Sequence, residues 1–134
     1  MTRQRAGSAI TAVAAIGFFV TAALHTAGYS SVVRSAAQAS EKLRALLPLL
    51  WLGIAFDFVV LGLIVGVVAL RPIGPARIIL AVAAICPFAA AGLQIRFLGF
   101  IPPTPILIGV GVVTLLGAMV LPPTRVTPGG VAGR

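Results

Sequence analysis

The chain alternates long apolar stretches with short polar connections. Apolar side chains predominate over residues 7–29, 51–70, 78–97 and 106–121, and most Arg, Lys and Pro residues lie between these stretches or at the two ends. A helix needs about 20 apolar residues to cross the hydrocarbon of a bilayer. The alternation typical of a membrane β-strand is missing. The pattern therefore predicts an all-α membrane protein with four transmembrane helices in an up-down bundle.

The longest connection, residues 30–45, joins the first two spans. Its apolar residues recur at helical spacing among basic and amide residues, which predicts one short interfacial helix. Ser40 followed by Glu41 suits a helix start. The apolar stretch that follows begins at Leu46, but Trp51 is the residue type of the membrane interface. We therefore expect the second span to run from Trp51 to Leu70.

The two ends of the chain have their own patterns. Residues 1–22 resemble a signal peptide, with a basic start and Val-Thr-Ala at residues 20–22. The apolar stretch is longer than the roughly 7–15 residues of a signal core, which favours an uncleaved first helix over cleavage. Residues 122–134 are rich in Gly, Pro and Thr and have little to bury, so we expect a disordered cytoplasmic tail. The transmembrane domain is expected to cover residues 1–121.

Composition excludes several classes of protein. Hydrophobic residues make up 60% of the 134-residue chain and charged residues 9%, whereas soluble domains carry about 25% charged residues. The net charge of +8 comes from basic residues without interleaved aromatic side chains, so we expect no nucleic-acid partner. The chain has one cysteine, Cys86, and neither metal-site spacing nor a glycine-rich phosphate loop. We expect no cofactor and no metal.

Basic residues predict the orientation. Six lie on the side of the N-terminus and four on the other side: Arg3, Arg5, Arg71, Arg77, Arg125 and Arg134 against Arg34, Lys42, Arg44 and Arg96. Cytoplasmic segments carry the excess of Lys and Arg, and the first residues weigh most. We expect a multi-pass protein of the plasma (inner) membrane with both termini in the cytoplasm.

Four polar side chains near one membrane face are the candidate ligand-binding residues: His25, Asp57, Gln94 and Arg96. A carboxylate at the centre of a transmembrane helix costs about 2.5–3.5 kcal/mol, so Asp57 is the strongest candidate. His25 can titrate near neutral pH. A catalytic role is unknown, and His25 and Asp57 are the candidates for it. Alternatively, Asp57 pairs with His25 or Arg96 only to fix the packing, or Arg96 extends to the lipid headgroups.

Small residues predict close helix contacts. Gly62 and Gly66 lie one turn apart on the second span, away from the face of Asp57. Such a pair lets another helix approach closely, either within the bundle or across a homodimer.

The sequence supports three hypotheses of function. The first is a small membrane protein that binds a small or lipidic ligand in a polar pocket in the extracytoplasmic half. The alternative is a non-catalytic assembly or accessory subunit of a membrane complex. The third is a proton-coupled small-molecule transporter that acts as a dimer. The expected partners are the lipid bilayer, a hydrophobic or amphipathic ligand, and a second copy or another membrane protein.

Overall fold

The computed structural model describes residues 2–71 and 74–123, and every regular element in these ranges is an α-helix. The helices are α1 (Arg3–Ala27), α2 (Tyr29–Ala36), α3 (Glu41–Leu70), α4 (Ala76–Leu98) and α5 (Pro103–Val120). Four helical stretches are long and apolar enough to cross a membrane: α1 continued by α2, then α3, α4 and α5. The predicted all-α class is confirmed for these residues. Residues 124–134, which make up most of the predicted disordered tail, lie outside the described ranges.

The segment 30–45 differs from the single interfacial helix predicted for it. Its first part belongs to α2, and its last residues form the first turn of α3, which continues through Pro48. Ser40 separates the two helices because its backbone is extended, with φ −57° and ψ 154°. This is the usual backbone conformation of the residue before a helix, and it starts α3 well before Trp51.

α1 lies between α3 and α5. It packs extensively against both, α4 packs against α5, and α3 and α4 share few contacts. Along the α1–α5 interface a Cβ atom on Gly7 would lie 3.0 Å from the Leu121 backbone nitrogen, and one on Gly117 would lie 2.8 Å from the Thr11 hydroxyl. Small residues therefore bring these two helices close together.

The α1–α3 interface includes the predicted glycine pair. Gly62 faces the ring of Phe19, with a hypothetical Cβ 3.2 Å from its carbons, and Gly66 faces the Ala15 methyl at 3.8 Å. The pair thus packs against α1 within the chain. Nearby, the rings of Phe18 and Phe58 lie 6.3 Å apart between centroids, in the distance range of favourable aromatic pairs.

Two arginines bind the carboxyl end of α5. Arg3 Nε donates to the Val120 carbonyl at 3.2 Å, and Arg77 Nε donates to the Ala118 carbonyl at 2.9 Å. The last carbonyls of a helix lack intrahelical donors and carry the negative end of the helix dipole. The starts of α1 and α4 are therefore held at the end of α5.

Packing at Gly117 gives a testable prediction. Gly117→Leu should lower the free energy of unfolding in detergent by about 1–3 kcal/mol, the usual cost of overpacking. The Thr11 hydroxyl cannot turn away freely because it donates to the Gly7 carbonyl at 2.8 Å. Gly109→Leu is the matched control on the same helix, since nothing lies within 4 Å of a Cβ there. If Gly117→Leu and Gly109→Leu lower the free energy of unfolding equally, the α1–α5 contact is not tight.

Candidate functional site

A cavity of about 350 Å³ lies between the second halves of α1 and α4 and the first halves of α3 and α5. This volume is near the lower end of the roughly 300–1,000 Å³ of small-molecule pockets. The lining is mostly apolar and comprises Thr21, Leu24, His25, Trp51, Ile54, Phe58, Ala90, Leu93, Gln94, Leu98, Ile101, Pro103, Ile106 and Leu107. None of these side chains is an aspartate, glutamate, lysine or arginine.

The cavity forms where close helix packing ends. The glycine contacts of α1 with α5 end at Gly17, where a Cβ would lie 2.9 Å from Val110, and the cavity lies beyond them, beside Thr21 to His25. On the opposite side α3 and α4 share few contacts. Ile54 of α3 and Leu93 of α4 line the cavity and are also exposed on the outer surface. The cavity therefore reaches the surface between α3 and α4.

His25 and Trp51 form one wall and join α1 to α3. Their rings are stacked, with centroids 3.8 Å apart and an angle of 13° between the planes. Trp51 Nε1 also donates to the backbone carbonyl of His25 at 2.6 Å. The indole lies close to Gly28, where a Cβ would be 3.0 Å from its Cζ2, so this glycine leaves space for the ring.

One polar atom in this wall lacks a partner. Nε2 of His25 is buried and makes no hydrogen bond with any residue in the described ranges. A buried polar atom left unpaired costs about 1–3 kcal/mol. Such atoms are rare in folded proteins and often mark functional positions.

Gln94 lies in the opposite wall, where a hydrogen-bonded chain orients its amide. Thr104 is fully buried, accepts a hydrogen bond from the Ile101 backbone nitrogen at 3.3 Å, and donates to Gln94 Oε1 at 3.0 Å. The short connection between α4 and α5 places Thr104 beside Gln94. The end of α4 and the start of α5 are thus joined through the same side chain that lines the cavity.

Asp57 and Arg96 lie outside the cavity lining. Asp57 is exposed and makes no hydrogen bond or ion pair with the described residues. Arg96 is also exposed, and its guanidinium lies 5.4 Å from the centre of the Phe97 ring. The structure therefore brings His25 and Gln94 to one cavity and leaves Asp57 and Arg96 outside it. His25 stacks on Trp51, and no direct pair with Asp57 is seen in the described part of the chain.

Two residues of the site were missed in the sequence. The sequence pattern gives Trp51 only the role of an interfacial residue and assigns no role to Thr104. A signal for Thr104 is present, because it is a lone hydroxyl residue between Pro103 and Pro105, just after the span that carries Gln94. An interfacial position for Trp51 does not by itself indicate a contact with His25. Comparison with protein-family models, curated proteins and solved structures finds no match to the chain.

The stacked pair predicts a specific pattern of energetic coupling. In a double-mutant cycle of His25→Ala and Trp51→Leu, the two changes should be coupled by about 0.5–1.5 kcal/mol, the usual range for aromatic pairs. A cycle of His25→Ala and Asp57→Asn should be additive to within about 0.3–0.5 kcal/mol, because the two side chains share no contact. Free energies of unfolding in detergent measure both. Coupling in the second cycle alone would contradict the observed arrangement.

Proposed function

We propose that the chain is a multi-pass membrane protein that binds a small apolar or lipidic ligand in the cavity between its four long helices. The cavity is the observation that supports this function. Small-molecule sites are concave and mostly apolar, with a few placed polar groups. The lining has this composition, with His25, Trp51 and Gln94 as its polar edge.

The proposed arrangement in the membrane is an up-down bundle with both termini in the cytoplasm. The four long apolar helices support a membrane location. Arg3, Arg77 and the end of α5 lie together at one end of the bundle, and basic residues favour the cytoplasmic side. On this orientation the cavity lies in the extracytoplasmic half.

We also propose that the ligand enters from the bilayer. The cavity reaches the surface between α3 and α4, and the exposed residues at this edge, Ile54 and Leu93, are apolar. A ligand dissolved among the acyl chains could enter here without crossing a polar surface. This route also allows an apolar tail longer than the cavity to extend into the lipid.

Trp51 makes the proposed binding measurable, because it is the only tryptophan of the chain and it lines the cavity. Bromodecane, whose bromine quenches indole fluorescence, should quench Trp51 saturably in nanodiscs, and an excess of decane should restore the fluorescence. Ala90→Phe should remove the saturable component because Ala90 lines the cavity. Ala89→Phe is the control, since the neighbouring alanine is exposed and outside the lining.

Two results would contradict ligand binding in this cavity. One is quenching that rises linearly with bromodecane in the wild-type protein, which indicates contact with bulk lipid alone. The other is an equal response of Ala90→Phe and Ala89→Phe, which would place the bromoalkane elsewhere.

Asp57 favours a second candidate, an assembly subunit that associates with another copy. An exposed carboxylate within an apolar helix is costly in a bilayer and usually acquires a partner. In the described residues it has none. One turn earlier, Gly53 has nothing within 4 Å of a hypothetical Cβ, so a second helix could approach there. Asp57 lies outside the cavity, which gives less support to a transporter in which Asp57 binds the substrate.

This second candidate predicts an oligomer that depends on Asp57. Light scattering in detergent should give the mass of a dimer for the wild-type chain and a shift toward monomer for Asp57→Leu. Phe56→Leu is the control, because Phe56 is exposed on the adjacent face of α3. A monomeric wild-type chain, or equal masses for both variants, would contradict self-association through Asp57.

A further inference from the structure

We infer that the cavity selects a neutral ligand with a hydrogen-bond acceptor, such as the carbonyl of a ketone, ester or quinone, and that the side-chain amide of Gln94 donates to it. This inference rests on the proposed function, ligand binding in the cavity, and adds the chemical class of the ligand.

The orientation of the Gln94 amide follows from its neighbours. A threonine hydroxyl has one hydrogen to donate. Thr104 is fully buried and accepts from the Ile101 nitrogen, and its one acceptor in the described chain is Gln94. The Gln94 atom facing Thr104 must therefore be the amide oxygen. The NH₂ group is left on the other branch of the amide.

This NH₂ group is available to a ligand. It makes no hydrogen bond within the described ranges, and it is not among the buried side-chain atoms that lack a partner. The nitrogen is therefore accessible, and the side chain that carries it lines the cavity. An amide nitrogen has hydrogens and no free lone pair to accept with, so its partner must be an acceptor.

The hydroxyl of Thr21 and the indole of Trp51 are already engaged. The Thr21 hydroxyl donates to the Gly17 carbonyl at 2.8 Å, and the Trp51 indole donates to the His25 carbonyl at 2.6 Å. Nε2 of His25 is covered by its surroundings. Among the Thr21 hydroxyl, the Trp51 indole and the Gln94 amide, only the amide keeps hydrogens free for a ligand.

The lining also favours a neutral ligand over an ion. It contains no aspartate, glutamate, lysine or arginine, and Arg96 and Asp57 lie outside it. An ionic head group moved from water into this apolar cavity would lose its hydration without gaining a counter-charge. A carbonyl loses less hydration and regains one hydrogen bond from Gln94.

Displacement of bromodecane from the cavity tests this selection. Methyl octyl ketone, decane, decanoate and decylamine compete with bromodecane in nanodiscs, and recovery of Trp51 fluorescence reports each one. The variants are Gln94→Leu and Gln94→Met, which both remove the amide, and Met also keeps the length of the side chain. Gln38→Leu is the control, because Gln38 is exposed and outside the lining.

The expected result is a loss of selectivity for the ketone. The half-displacing concentration of the ketone, divided by that of decane, should rise about 2- to 10-fold in both Gln94 variants, which corresponds to one hydrogen bond. Because the partition of each molecule into lipid is the same for every variant, the change in this ratio between variants does not depend on it. Decanoate and decylamine should displace less bromodecane than the ketone at equal membrane concentration.

The outcomes separate this inference from the proposed function. An unchanged ratio in both Gln94 variants, or wild-type displacement by either ion equal to that by the ketone, would overturn the inference while decane still displaces bromodecane. Failure of decane to displace bromodecane in the wild-type protein would instead reject the cavity as a binding site. If the ratio of ketone to decane rises as much in Gln38→Leu as in the Gln94 variants, the assignment to Gln94 is also overturned.

Discussion

The close approach of α1 to its two neighbours is the constraint on which the rest of the structure depends. Gly7, Thr11 and Gly117 bring α1 and α5 together, and Ala15 faces Gly66 on α3. α3 and α4 contact each other little, so α1 and α5 hold the outer helices in place. In the membrane location proposed above, the hydrophobic effect contributes little between apolar helices, and close van der Waals packing of small residues stabilises the contact.

The cavity lies beyond the closest contacts between α1 and α5. At Gly7, Thr11 and Gly117 these helices lie close, and in the packed part of the bundle the interior is filled by side chains such as Phe18 and Leu80, which are fully buried. Toward the end of α1 the neighbouring positions carry wide or branched side chains such as Trp51 and Ile54, which line the cavity. The space remains open because α3 and α4 do not close over it.

The sequence is enough to predict the four long helices, but it predicts only part of the candidate site. Apolar length predicts each long helix because backbone groups in lipid must be satisfied within the helix. The sequence does not predict the stacking of His25 on Trp51, because it gives Trp51 only the role of an interfacial residue. The sequence also does not predict the rotation of each helix about its own axis, and this rotation decides which side chains face a neighbouring helix. His25 and Asp57 are expected near the same membrane face, yet His25 stacks on Trp51, and Asp57 is exposed outside the cavity.

The wall formed by His25 and Trp51 connects the cavity with the joint between α1 and α3. The indole that lines the cavity also donates the hydrogen bond that ties the start of α3 to the end of α1. A ligand that displaced the Trp51 ring would have to break this hydrogen bond or move the ends of both helices. The Gln94 amide has a similar position at the joint of α4 and α5, through Thr104. Both polar walls of the cavity are therefore built from the groups that fix the helix ends, so filling the cavity and ordering this end of the bundle depend on the same side chains.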